Sequence, residues 1–194
     1  MNPKTLAPLC LALALAPAAW AHDDARTAAA APASAPPPAA GSAREEALKN
    51  FDDAAGKLER LAEAIPADKF GWRPAEGVRS VSEVLLHVST GNFGIPVRLG
   101  GAAPEGLDLR TLEKSTQEKA KVIEIVKRAN DNVRKTFQKV KDADLEKTSE
   151  WFDKSQITQR AVMNFIASHN HEHLGQLIAY ARMNGVTPPW SAGN

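Results

Sequence analysis

An all-α fold, and within it a four-helix bundle, is what the sequence predicts, on three observations. Four stretches repeat apolar residues at three- and four-residue spacing, no segment shows a convincing strand alternation, and the connections have the length found between helices of one bundle. The part that can fold begins near residue 43 and leaves about 150 residues, enough for one domain with a single core. No internal repeat is visible.

The first helix is predicted over residues 44–65, with Leu48, Phe51, Ala55, Leu58, Leu61 and Ala62 on one face and Pro66 ending it. Phe70-Gly71-Trp72-Arg73-Pro74 reads as a loop. Ser80-Val81-Ser82-Glu83 announces the second helix as a capping box, in which the Ser80 hydroxyl and the Glu83 carboxylate satisfy each other's free backbone N–H groups. Val81, Val84, Leu85 and Val88 follow at helical spacing, His87 lies at the edge of that stripe, and Gly91, Gly94 and Pro96 are expected to stop or kink the helix. After a loop carrying Gly100-Gly101 and Pro104, a long third helix is predicted over 112–140, with Val122, Ile125, Val126, Ala129, Val133, Phe137 and Val140 inward. Its charges read as a solvated face. Glu150-Trp151-Phe152-Asp153 falls in the last connection. The fourth helix is predicted over 157–184, with Thr158 in its first turn and Gly185 and Pro188-Pro189 ending it. Its inward face carries Val162, Phe165, Ile166, His169, His173, Leu177 and Tyr180.

Ahead of the bundle, residues 1–21 read as a secretory signal peptide: Lys4, an apolar run over 6–16, then Ala19-Trp20-Ala21 as the cleavage pattern. A membrane anchor fits less well, because the apolar core is short and is interrupted by Pro8 and Pro17. A lipoprotein signal fits less well too, since the residue before Cys10 is Leu9. Cleavage would remove the one cysteine, leaving no disulfide and no thiol nucleophile, which suits a secreted, bacterial periplasmic protein. It also removes Lys4, so 24 basic residues become 23 against 23 acidic ones and the formal charge is zero. Nucleic acid is therefore not an expected partner, because no basic excess exists to neutralise phosphates. Residues 22–43, rich in Ala and Pro, read as a disordered linker, and 191–194 as a short tail after the bundle at 44–190. His22 at a new N-terminus could chelate copper, but no second histidine lies near it.

The chemistry is concentrated in Ser168-His169-Asn170-His171-Glu172-His173-Leu174-Gly175-Gln176. At about 100° per residue, His169 and His173 lie about 40° apart on the inward face, whereas His171 is about 200° from His169. Two imidazoles one turn apart can share an ion such as zinc or nickel. His87, on another core-facing helix, is the third candidate; a hydrogen-bonded core histidine is its ordinary alternative. Glu83, one turn before His87, could orient that ring, although the capping box already accounts for it. A zinc-protease helix would need Glu where Asn170 stands, and an iron-carboxylate bundle would need inward Glu residues that are not visible.

His169-x-x-x-His173-Leu174-Gly175-Gln176-Leu177, followed by Tyr180, Arg182, Gly185 and Pro188-Pro189, resembles the last helix of the DinB-like (DinB/YfiT-like) superfamily of four-helix-bundle metalloenzymes. Trp72-Arg73-Pro74, then Val78-Arg79-Ser80-Val81-Ser82-Glu83 and Leu86-His87, is similar to that family's approach to its first histidine. The resemblance spans 44–190. It implies metal ligation by His87, His169 and His173, a divalent zinc or nickel ion, and a fourth position open to water or to a substrate sulfur. Asn170 and Glu172 depart from residues common in the family. Gly175 reads as a close helix contact, and Gln176 as either a pocket hydrogen-bonder or a bundle-surface residue.

The function expected is an exported metal-dependent enzyme that activates water or a low-molecular-weight thiol for hydrolysis or S-transfer on a small-molecule substrate. The alternative is a non-catalytic metal-binding or stress-response protein, and a metal-free bundle with ordinary core histidines is the third reading. Glu172 and Tyr180 are general-base candidates by proximity alone, a salt bridge and a core aromatic being their commoner roles. Trp72, Trp151 and Trp190 could line a pocket mouth or simply pack. An apolar helix face could pair two copies as a homodimer.

Overall fold

The computed structural model describes residues 42–191. The signal peptide expected over 1–21, the linker up to Gly41, with Cys10 and His22, and the tail beyond Ser191 lie outside the described residues. Among the described residues no helix is long and apolar enough to cross a membrane.

Four helices carry the fold: α1 Ala43–Ala64, α2 Val81–Gly94, α3 Lys119–Lys139 and α4 Gln159–Met183. Helix α1 begins one residue before the predicted start because Ser42 and Glu45 form a capping box of their own. Ser80 and Glu83 form the second, with the Ser80 N–H donating to Glu83 at 2.8 Å and the Glu83 N–H donating to the Ser80 hydroxyl at 3.3 Å. Thr158 proves to be the N-cap of α4, its hydroxyl accepting from the Ala161 N–H at 3.2 Å. At the other end Gly185 takes a left-handed φ of 72°, which a side chain would disfavour.

Helix α1 packs on α3 and α4, and α2 packs on the same two. The order around the bundle is therefore α1–α3–α2–α4, and the connections from α1 to α2 and from α3 to α4 cross the diagonals. This brings α2 and α4, which carry the candidate histidines, side by side.

Three expectations are corrected. Residues 112–118 are not helix α3: Leu112–Lys114 is a separate 3-10 turn, and the Thr116 hydroxyl accepts from the Glu118 N–H at 3.0 Å, offering the backbone an alternative to helix. The last connection does contain strands, a hairpin of β1 Thr148–Glu150 and β2 Gln156–Thr158 with Thr148 opposite Thr158. Three residues per strand are too few to show an alternation. Gly91 does not stop α2, which continues to Gly94. A Cβ at position 91 would lie 3.1 Å from Cε1 and 3.2 Å from Nδ1 of His169, so the glycine makes room for that ring.

The core has two apolar parts. One gathers Leu58, Leu61, Phe70, Leu85, Leu86 and Leu177; the other holds Phe51, Phe137, Met163 and Ile166, with the two phenyl rings 5.8 Å apart. Between them lies a buried amide layer. Asn92 Nδ2 donates to Asn130 Oδ1 at 2.9 Å and to Asn170 Oδ1 at 3.0 Å, and Asn170 Nδ2 returns a bond to Asn92 Oδ1 at 2.9 Å. Asn130 reaches Glu59 of α1 at 2.7 Å. One polar layer therefore ties all four helices and fixes the rotation of α4 against α2.

Candidate metal centre

His87 comes from α2, and His169 and His173 from successive turns of α4. Their ring nitrogens converge: His169 Nε2 lies 3.3 Å from His87 Nε2 and 3.1 Å from His173 Nε2. One ligand atom from each lies within 4.8 Å of the others. Tetrahedral zinc with nitrogens at about 2.0–2.1 Å separates them by about 3.3 Å, so the spacing is that of a shared ion. Among the described residues the cluster consists of these three.

The far side of two rings is held. Burial opposes ionisation of Glu113, but Arg79, at 2.8 Å, and His87 hold its carboxyl below the usual range, so it is an acceptor at neutral pH. It therefore takes the Nδ1–H of His87, at 3.0 Å, and leaves a lone pair on Nε2. On α4, Gln176 donates its amide to the Tyr180 hydroxyl at 2.8 Å, so its carbonyl is free to accept Nδ1–H of His173 at 2.9 Å. That again leaves Nε2 bare. His169 Nδ1 is buried without a partner. Two bare Nε2 atoms, converging with the Nε2 of a third imidazole whose Nδ1 has no competing partner, suit a cation, so the residues present fit a divalent metal.

Burial pushes the imidazolium of His169 down to about 4 from an ordinary 6.5, with His173 and His87 adding to the effect. His87 is also lowered, first by burial, against an opposing bond from Glu113. In metal-free protein the unfolded chain takes up the His169 proton as pH falls through 6.5, the folded chain only near 4. The stability carried by the neutral ring is complete above the higher value and is lost as pH falls toward the lower. Allowing for partial exposure, the loss is on the order of 2 kcal/mol. Urea unfolding of metal-free protein at pH 7 and pH 4.5 checks this, and His169→Ala should flatten the change.

The remaining sequence candidates divide. Gln176 and Tyr180 are joined to His173 as described. Glu83 does not reach His87; it is held by the Ser80 N–H and by Arg73 at 3.2 Å, and Glu113 takes the place expected for it. Glu172 is exposed, and so is Gly175, where an added Cβ would meet open space and no close helix contact. Asn170 is buried in the amide layer. His171 bonds Asn50 at 2.9 Å. Trp72 packs edge-on against Tyr180 at 5.3 Å, and Trp151 lies 5.0 Å from Phe165. Phe165, expected in the core, is instead 39% exposed and stacks parallel to His169 at 6.0 Å.

Glu113 is the candidate-site residue that the sequence did not point to. It sits in an irregular turn, 26 residues from His87, where no periodicity points at it. Glu113→Gln should lower metal affinity about 10- to 100-fold while leaving the helix content intact, as competition with a zinc indicator would read.

A four-helix bundle with a three-histidine cluster in its core belongs to the class in which metal sites are built from facing helices. More specifically, the chain belongs to the DinB family, whose model matches residues 40–193. It is 28% identical over 136 residues to the protein YjoA of Bacillus subtilis strain 168, covering 66% of this chain and 81% of that one. The crystal structure of a DinB-like protein from Bacillus cereus ATCC 10987 superposes with a TM-score of 0.65 at 16% identity, over 75% of this chain and 95% of that one. YfiT from Bacillus subtilis, described as a probable metal-dependent hydrolase with an unusual four-helix bundle topology, superposes at 0.62 with 12% identity, over 79% and 94% of the two chains. These structural likenesses show the fold.

Proposed function

We propose that this protein is an exported metal-dependent enzyme in which His87, His169 and His173 hold one zinc or nickel ion, and that it performs hydrolysis or thiol S-transfer on a small-molecule substrate. The convergence of three Nε2 atoms, two of them with their protons drawn off to Glu113 and Gln176, is the observation that supports this most. When bound, such an ion would act as a Lewis acid, lowering the pKa of a water or thiol so that the anion is present at neutral pH. The chain's own part is positioning. Glu113 and Gln176 hold two rings in the tautomer that bares Nε2, and Tyr180 anchors Gln176. Glu172, exposed and three residues from His169, stays a general-base candidate by proximity alone, whereas the Tyr180 hydroxyl is engaged in accepting from Gln176.

Three protein ligands among the described residues favour an enzyme over a storage site, since closed structural sites use four. Cobalt substitution tests this. The visible spectrum of a site with an open position should titrate between pH 6 and 9 and shift on adding a small thiol such as 2-mercaptoethanol. A spectrum indifferent to both would identify a closed, non-catalytic site. Export is read separately: periplasmic protein starting at His22 supports it, and cytoplasmic protein retaining Met1 contradicts it.

A further inference from the structure

Two cavities flank the histidine cluster, and they differ in kind. A polar cleft of about 540 Å³ is lined by Arg73, Arg79, Glu83, Glu113 and Gln176. It touches the groups behind the rings, and its arginines are already committed, Arg79 to Glu113 and Arg73 to Glu83. The second cavity, about 310 Å³, is lined directly by His87 and His169 together with Ile95, Leu109, Phe152 and Phe165. Its one side-chain hydroxyl, on Thr90, is spent on the Leu86 carbonyl at 2.9 Å. A ligand there finds apolar walls and, for polar contact, only the imidazoles and whatever they hold.

The walls are specifically arranged. Phe165 lies parallel to His169, at 9° between the rings and 6.0 Å between their centroids. Phe152, from the hairpin tip, closes the outer side and is itself backed by the Arg98 guanidinium, 4.0 Å from its ring centroid. Phe152 is 64% exposed and packs edge-on to Trp151 at 4.6 Å, so it borders the cavity as part of its rim. A cavity of about 150 Å³ already admits benzene, so this one has room for a phenyl or branched alkyl group and the atom that carries it.

We propose that the substrate of this centre is an amphiphile of one kind: a single metal-binding head set at the histidines, joined directly to an uncharged phenyl- or branched-alkyl-sized body that fills the cavity between α2, α4 and the hairpin. The proposal rests on the metal reading above and narrows it, because a large, strongly hydrophilic thiol or ester would find no partners for its polar groups in these walls.

Acetohydroxamate and benzohydroxamate carry the same chelating head and differ only in methyl against phenyl. On zinc-loaded protein, calorimetry should show benzohydroxamate binding at least about tenfold tighter. Gly94→Leu narrows the cavity from a position that is not a candidate ligand: its backbone is helical, and an added Cβ meets only Leu109 Cδ1, at an ordinary 3.5 Å. That variant should keep its zinc and lose the phenyl preference. Equal affinities for the two hydroxamates, or a preference that survives Gly94→Leu, would overturn the proposal. The metal and the cavity are read apart by a second arm, methyl NMR of metal-free protein with toluene. Shifts at Ile95 and Leu109 would support the cavity even if zinc were not retained, which would overturn the metal reading; no shifts would overturn the cavity itself.

Discussion

His87→Ala and His169→Ala should each strip the ion from the protein, lowering affinity for zinc by about a hundred- to a thousandfold. The magnitude follows from sharing an apparent binding energy of roughly 10–16 kcal/mol among the four ligands of a structural zinc site, about 2.5–4 kcal/mol each. That the two variants behave alike is the informative part, because they lie on different helices and their Nε2 atoms are 3.3 Å apart. The fold should survive both. Removing His169 from metal-free protein also deletes a buried Nδ1 that has no partner, which offsets part of the packing lost with the ring. Circular dichroism separates a lost site from a lost fold. Unequal behaviour, with His87→Ala keeping its zinc, would reduce the site to the pair on α4.

The second large effect is on stability. Asn92→Ala leaves the buried carbonyls of Asn130 and Asn170 without the amide that bonds both, and should cost about 2–4 kcal/mol. In urea this is a midpoint shift of about 1–3 M, large against the total stability of a domain this size. The physical reason is asymmetry: a polar layer is near neutral when complete and expensive when broken. Asn92→Ala should therefore destabilise more than a surface change at Asn50, and should loosen the rotation of α4 that aims His169 and His173 at His87. A loss below about 0.5 kcal/mol would mean that water replaces the missing amide.

Much of the bundle and part of the site were legible in the chain because they depend on short-range spacing. The Ser80–Glu83 capping box, the one-turn interval of His169 and His173 and the Pro66 and Gly185 stops are local patterns, and each stands in the structure where it was read. What was not legible depends on what lies across the bundle. Asn92, Asn130 and Asn170 look like polar surface residues one at a time; only their placement within apolar stripes, Asn130 next to Ala129 and near Val133, could have marked them as buried. Glu113 pairs with His87 through a turn whose Ser-Thr-Gln run interrupts the predicted helix. Phe165 sat on the correct helix face but at its edge, beside a hairpin too short to leave a pattern, so an aromatic wall of a cavity read as core.

The arrangement proposed for this protein has three imidazoles from two helices around one ion, with a position to spare. X-ray absorption at the zinc edge, on protein loaded with one equivalent and carrying no histidine tag, tests it most directly. Three imidazole nitrogens at about 2.0–2.1 Å are expected with one further light atom, replaced by sulfur when a small thiol is added. A six-coordinate oxygen shell, or no zinc retained after gel filtration, would contradict it.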